Sequence, residues 1–400
     1  MRILFSFHEG PGHYNPLVPL AKRAVAAGHT VAFSADPKRV GLPEADGFTA
    51  FPTGIDPYGS QESVAIEERY NAASPGRERE DALIRDGFAG VYPRAKAADM
   101  VRLCGEWQPD VIVWDEANLG APIAADRLGI PNVSVLVLAA GSLLRPDLIT
   151  AGLNAIRAEH GLPPDPDLTM LSRYLVLSPF PDGFRDPAFP LPPTARTIRP
   201  LLPDPAPGEA LPTWAASLPD RPTVYLSLGT AFDRDLALAI FGRIIPSLAE
   251  LPITLIVTVG RKIDPAELGE QPANVHVERY VSQSLLLPLV DLFVSHAGSG
   301  SVMGALSHGV PLALIPRGAD QPENAARCEA LRVGRIIGTP DITGEEARTA
   351  VAAMLDDPSY RARATRLRDQ IATLPGVDEA FRLIERVAAD RPSGTPKRQS

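Results

Sequence analysis

Short apolar runs alternate with longer amphipathic stretches along most of this chain, and glycine, proline or asparagine marks many of the junctions. Residues 2–7 form a first apolar run, followed by the turn Glu9-Gly10-Pro11-Gly12-His13-Tyr14-Asn15-Pro16. Leu17, Leu20, Ala21, Ala24 and Val25 then recur at helical spacing until Gly28, and residues 30–35 are apolar again. Asn15 is expected to cap this helix, with Pro16 in its first position. Strand, helix and strand in that order predict a βαβ unit that opens a parallel sheet. Runs apolar at nearly every position predict strands covered on both faces.

The same alternation continues. Strands are expected at 110–114, 132–138 and 174–178, with helices at 121–128 and 148–159. Prolines crowd the chain from 179 to 220. The pattern restarts with strands at 223–230, 253–259, 275–280, 292–295, 311–315 and 335–337. Helices are expected at 233–251, from the turn after Ser295 to Gly309, from Asn324 to 333, and at 343–355, 359–372 and 377–388. Residues 52–96 are the least legible: Tyr58, Tyr70, Phe88 and Tyr92 lie among charges, and Ser74-Pro75-Gly76 breaks any long helix. They read as solvated helices and loops over a sheet edge.

A chain of 400 residues is too long for one compact core. The alternation and the proline-rich stretch divide it into an N-terminal Rossmann-like domain (1–202), a linker (203–222) and a second Rossmann-like domain (223–375). A last helix (376–390) and a flexible polar tail (391–400) complete it. The net charge of −9 argues against a nucleic-acid partner. Cys104 and Cys328 form no metal or disulfide framework. No apolar run is long enough to span a bilayer and the N-terminus does not read as a signal peptide, so a cytoplasmic protein is expected.

The densest chemistry lies between Asp291 and Asn324. A short strand leads into His296, then Gly298, Ser299, Gly300 and Ser301 open a helix, and Asp320-Gln321 follow the next strand on a loop. A glycine turn at a helix N-terminus aims backbone N–H groups and the positive helix end at one point, which suits phosphate. A dinucleotide-binding turn would look similar, and the glycine turn after the first strand is a weaker rival for the same phosphates. Ser227, Gly229 and Thr230, after the strand at 223, offer further donors to a diphosphate.

In the first domain, His13 follows one strand and Asp115-Glu116 ends another. Open α/β sheets bind ligands outside the carboxyl ends of their strands, so these distant residues can meet. Imidazole serves as a base near neutral pH, and a bonded carboxylate would fix its tautomer. Glu116 is the alternative partner. A structural histidine and a capping aspartate are the plainer readings.

His296-x-Gly298-x-Gly300-Ser301 with Asp320-Gln321, together with Gly12-His13-Tyr14-Asn15-Pro16, resembles the family 1 glycosyltransferases. Bacterial natural-product (macrolide, polyketide and enediyne) enzymes are the nearest likeness. The resemblance implies the GT-B fold: two facing Rossmann-like domains with parallel sheets and a C-terminal helix that crosses back to the N-domain. It implies an inverting O-glycosyltransferase that moves a sugar from a TDP- or UDP-sugar to a hydroxyl of a lipophilic acceptor. His13 would be the general base, oriented by Asp115. Thr230, His296, Gly298, Ser299, Gly300 and Ser301 would bind the donor diphosphate, and Asp320 and Gln321 the sugar. Tyr280-Val281-Ser282-Gln283 stands where the family often has Trp-x-Pro-Gln, so Tyr280 would stack on the base, with Val281 and Gln283 beside it. The region 52–96 would cover the acceptor. No cofactor or metal is expected, and the Asp165-Pro166-Asp167 and Asp233-Arg234-Asp235 triplets read as incidental. The nucleotide sugar and a hydrophobic acceptor are the expected partners, with a homodimer left open. A nucleotide-sugar 2-epimerase of the same fold, or an inactive auxiliary partner, are the rival readings.

Overall fold

The computed structural model describes residues 1–56, 59–72, 77–205, 208–229 and 233–389. The chain divides into two compact units. Unit 1 is Met1–Pro179, Ala188–Leu201 and the chain from Pro375, and unit 2 is Phe180–Pro187 and Leu202–Leu374.

Unit 1 is built on seven parallel strands: β1 (Arg2–Ser6), β2 (Thr30–Ala35), β3 (Thr49–Pro52), β4 (Val111–Asp115), β5 (Asn132–Val135), β6 (Leu175–Ser178) and β7 (Ala195–Thr197). Their order is β3-β2-β1-β4-β5-β6-β7. The order reverses between β1 and β4, which makes that crevice the topological switch point. Ser6 is in register with Ser34 on one side and Trp114 on the other. One face of the sheet buries Phe5, Phe7 and Phe33 with Leu17 and Leu20, and Phe381 and Ile384 of the last helix (Val377–Ala389) join that core. This helix returns to the N-terminal sheet, and Asp378 and Glu385 pair there with Arg23 and His29. The opposite face buries Leu4, Ile112 and Trp114 with Met100, Ile123 and Leu153.

Unit 2 has six parallel strands: β8 (Thr223–Ser227), β9 (Thr254–Thr258), β10 (Val275–Glu278), β11 (Leu292–Ser295), β12 (Leu312–Leu314) and β13 (Gly334–Ile336). Their order is β10-β9-β8-β11-β12-β13, so its switch point lies between β8 and β11. The turn Thr213–Ser217 packs on the β10 edge: the Trp214 ring stacks on His276 at 4.3 Å, and its Nε1 donates to Glu278 at 2.8 Å. Phe180–Pro187 belongs here too, since Arg327 donates to the carbonyls of Gly183 and Phe184, each at 2.7 Å.

Several expectations need correction. Asn15 does not N-cap the helix that follows it but ends an earlier turn as its C-cap. Pro11–Tyr14 makes a single helical turn, and the longer helix, Val18–Ala26, starts after Leu17 with no side-chain cap. Pro11 starts the earlier turn, and the Asn15 N–H already donates to its carbonyl at 2.9 Å. Gln321 is not on a loop but opens the helix Gln321–Ala330, with Asp320 at its cap. β3 and β7 escape the hydrophobic pattern because they are edge strands of four and three residues, partly exposed. In the poorly legible region, Gln61–Ala72, Arg77–Leu83 and Tyr92–Trp107 are α-helical, and Ile84–Val91 winds as a π-helix between the last two. Tyr58 and the tail expected at 391–400 lie outside the described residues. No helix among the described residues is long and apolar enough to cross a membrane.

Candidate functional site

Each switch point holds one cluster of the polar residues singled out above. In unit 1, β1 runs out at Ser6 and the chain turns through His8 and Glu9 into the turn Pro11–Tyr14. The Gly10 carbonyl accepts from the N–H groups of His13 (3.0 Å) and Tyr14 (3.2 Å). Tyr14 anchors the turn. Its ring is buried against Phe7 and Phe33, and its hydroxyl donates to Asp46 at 2.6 Å. His13, one residue earlier, keeps its side chain 16% exposed.

Asp115, the last residue of β4, is fully buried and faces this turn. Its Oδ1 accepts from His13 Nδ1 at 2.8 Å and from the Ala117 N–H at 2.9 Å, and its Oδ2 accepts from the His8 N–H at 2.8 Å. A carboxylate can only accept, so Nδ1 carries the proton, and in the neutral form of the ring the lone pair is on Nε2. Three donors fix the carboxylate, and the carboxylate fixes the ring. Glu116, the other candidate, is engaged elsewhere. Its buried Oε1 accepts from the N–H groups of Val137 and Leu138, at 2.7 and 2.6 Å, and ties down the chain beyond β5.

In unit 2, His296 follows β11 and Gly229 follows β8. The His296 ring is buried and wedged between two glycines. A methyl group on Gly229 would lie 2.3 Å from its Cε1, and one on Gly298 would lie 2.6 Å from its Nε2. The His-x-Gly spacing thus has a packing cause, and Gly229, at φ +63°, is the second half of the slot. A methyl group on Gly300 would meet no protein atom, although glycine inside a helix costs about 1 kcal/mol against alanine.

Behind the turn, Asp320 Oδ2 accepts from Ser299 Oγ (2.6 Å), the Ser299 N–H (3.3 Å) and Asn324 Nδ2 (2.7 Å). Asn324 Nδ2 also lies 3.0 Å from both the Ala297 carbonyl and Ser299 Oγ. The fully buried Asn324 therefore knits the glycine turn to the Asp320 loop. Its position one helical turn after Asp320 was the only hint of this in the sequence. Asn324→Ala should cost about 1–3 kcal/mol through the orphaned acceptors, read as a lower urea midpoint. Gln321 is 3% exposed, and its Oε1 accepts from the Arg317 N–H at 2.9 Å. Gln283 Nε2 lies 3.4 Å from Ser301 Oγ, so these two share one side of the turn. Tyr280 is 51% exposed with the Arg261 guanidinium 4.6 Å from its ring centre, whereas the neighbouring Val281 side chain is buried. Thr230 lies outside the described residues. Asp165 and Asp233 are engaged locally: Asp165 accepts from the N–H groups of Thr169 and Met170, and Asp233 caps the helix Arg234–Leu248 through the Leu236 N–H.

Burial pushes the His296 imidazole down to about 4, with the Asp320 charge pulling weakly the other way. It is therefore neutral at pH 7. Unfolded, it would take up a proton near pH 6.5, which the folded chain refuses until about pH 4. Stability from this group is complete above about 6.5 and falls by about 3 kcal/mol in total as pH drops through that window. His296→Gln should flatten that slope in urea midpoints taken between pH 4 and 7.

Two parallel sheets, each with its polar cluster at the switch point and a C-terminal helix returned to the first, make the GT-B fold of the glycosyltransferases. The solved spinosyn forosaminyltransferase superposes with a TM-score of 0.75 at 25% identity, covering 98% of this chain and all of the other. The glycosyltransferase VinC, solved in complex with dTDP, superposes with a TM-score of 0.76 at 24% identity, over 97% of this chain and all of its own. The chain belongs to the erythromycin biosynthesis protein CIII-like family, matching its N-terminal domain over residues 23–229 and its C-terminal domain over 242–386. Its similarity to natural-product enzymes runs the full length. L-demethylnoviosyl transferase of Streptomyces niveus is 30% identical over 99% of this chain and all of its own. 4'-Demethylrebeccamycin synthase of Lentzea aerocolonigenes is 29% identical over 96% of this chain and 99% of its own. The chain is a glycosyltransferase.

Proposed function

We propose that this enzyme transfers a sugar, with inversion, from a nucleoside-diphosphate sugar to a hydroxyl of a lipophilic natural product. The observation that carries the reading is the bond from His13 Nδ1 to the buried Asp115 carboxylate. It reserves Nε2 for the proton of the acceptor hydroxyl and leaves a carboxylate to balance the imidazolium that forms. The acceptor oxygen then bonds to the anomeric carbon as the bond from that carbon to the diphosphate breaks on the opposite face, and the proton stays on Nε2. Charge gathers on the leaving diphosphate. Ser301, the N-terminus of the helix Ser299–Ser307 and the neutral His296, as an N–H donor, would receive it. That donor set supplies the stabilisation without a metal. The bare backbone at Gly300 leaves room for a phosphate to approach.

Tyr280 is assigned to the nucleobase, Gln283 and Thr230 to the nucleotide, and Asp320 and Gln321 to the sugar hydroxyls. TDP is favoured over UDP, since dTDP occupies the solved VinC. A matrix of TDP- and UDP-sugars against polyketide and aromatic polyphenol acceptors, read by mass spectrometry, tests the reading. The expected product has the acceptor mass plus one sugar residue. Isomerised donor formed without acceptor, or no turnover with any pair alongside tight TDP binding, would sink it.

A further inference from the structure

A second buried ionic group stands beside the His13–Asp115 pair and has no part in the mechanism above. Asp36 directly follows β2, and Lys96 lies in the helix Tyr92–Trp107. Lys96 Nζ sits 3.0 Å from Asp36 Oδ1, with both side chains 2% exposed. The ammonium group is fully engaged. It also donates to the Thr53 hydroxyl (3.1 Å) and to the carbonyls of Thr53 (3.2 Å) and Phe7 (3.4 Å). Its helix is seated tightly: a methyl group on Gly120 would lie 2.7 Å from the Pro93 carbonyl and 2.8 Å from Lys96 Cβ. Burial alone would raise the Asp36 carboxyl, but Lys96, His8 and the Glu9 N–H outweigh it and hold the group well below the usual carboxylate range.

Such a pair is a costly way to stabilise a fold, because the desolvation of two charges is repaid only when the geometry is good. Its other contacts point to what it does. Asp36 Oδ2 accepts from the Glu9 N–H at 2.9 Å, and Glu9 is held at φ +64°, in the left-handed region that a residue with a Cβ avoids. The preceding N–H, that of His8, goes to Asp115 Oδ2. β1 lies between β2 and β4, so its two neighbours each bring a carboxylate to its end, and these take consecutive amides of the turn that leads to His13. Asp115 holds the turn from one side and is itself bonded to the His13 ring. Asp36 holds it from the other and has no bond to that ring among those described.

The geometry points to Asp36 and Lys96 as positioning residues: the Asp36 side-chain oxygen sets the turn at Glu9 and so holds His13 Nδ1 on Asp115, and Lys96 neutralises the buried carboxylate that carries it. This rests on the reading of His13 as the base. Lys96 supplies the counter-charge that keeps Asp36 an acceptor, and the Oδ2 link to the Glu9 N–H transmits the constraint.

Two charge-neutral double variants test it without leaving a buried charge unpaired. Asp36→Asn with Lys96→Met keeps an oxygen to accept from Glu9. Asp36→Leu with Lys96→Met has the same bulk and no acceptor. In protein labelled with 15N-histidine, the Nδ1 proton of His13 should appear as a downfield resonance, assigned by its loss in His13→Gln. That resonance should persist in the asparagine variant and broaden or move in the leucine variant. With the donor and acceptor pair found in the product matrix, kcat should fall roughly ten- to a hundredfold in the leucine variant only, with the donor KM within about twofold of the parent. If the two variants share one spectrum and one kcat, the proposal is overturned. Should the leucine variant not fold, Asp36→Ala in the same background makes the same comparison. Full activity in His13→Gln would instead overturn the base assignment, whatever the spectra show.

Discussion

His13→Gln should fold, bind TDP as tightly as the parent and transfer sugar about 10²- to 10⁴-fold more slowly, the usual range for a lost general base. The side chain is partly exposed and its removal opens no core, so little stability is at stake. TDP binding should be untouched, because the residues assigned to the donor lie in unit 2 and His13 in unit 1. Asp115→Asn should also be slow, for a different reason. An amide can donate to Nδ1 and so favour the tautomer whose proton sits on Nε2, the atom that must be vacant. The two lesions remove one device, so the double variant should be hardly slower than His13→Gln alone. Single-turnover rates at saturating donor separate these outcomes. A His13→Gln enzyme with parental kcat would reject the base.

Gly229→Ala should be the most damaging small change on the donor side. The new methyl group would press into the His296 ring at 2.3–3.0 Å from three of its atoms. Overpacking of that kind costs about 1–3 kcal/mol, and the left-handed backbone adds about 1–2 kcal/mol. Either the ring moves out of its slot or the turn after β8 does, and TDP affinity should drop at least about tenfold, since one displaced hydrogen bond to a charged group accounts for that much. Adding His296→Ala removes the steric conflict. It should restore much of the stability and none of the TDP affinity, as read by thermal denaturation with and without TDP. Recovery of both would show that His296 is a space-filler and not a ligand for the diphosphate.

Much of this architecture was readable because a buried parallel strand writes itself as a short apolar run, and a glycine or asparagine marks where the chain turns. The meeting of His13 and Asp115 followed from the rule that ligands gather at the carboxyl ends of strands, although only the sheet order makes β1 and β4 neighbours. What stayed hidden was polar and buried. Lys96 in a helix of mixed composition looks like any solvated lysine, and Asp36 looks like the start of a loop. Nothing local announces that each neutralises the other. Glu116 stood as the alternative to Asp115, yet successive residues at a strand end face opposite ways, and its Oε1 accepts from backbone amides. Gly298 read as phosphate-binding, and the space it leaves for an imidazole was not foreseen. Asn15 looked like an N-cap because Pro16 followed it, but Pro11, inside the same expected turn, starts a helical turn four residues earlier and leaves Asn15 at its C-terminal end.

Neither unit is a continuous piece of chain. Unit 2 includes Phe180–Pro187, held by Arg327, and unit 1 takes back everything from Pro375. The backbone passes from one to the other four times, so no single cut yields an intact half. A chimera meant to exchange donor preference with a relative must transplant 180–187 together with 202–374 and retain the recipient's own last helix, whose Phe381 and Ile384 complete the recipient's core. A swap spliced at one point in the proline-rich stretch would instead mismatch that helix with a foreign sheet and leave Arg327 facing an unfamiliar loop. Poor expression of such hybrids would then report on the splice and say nothing about the compatibility of the two active halves.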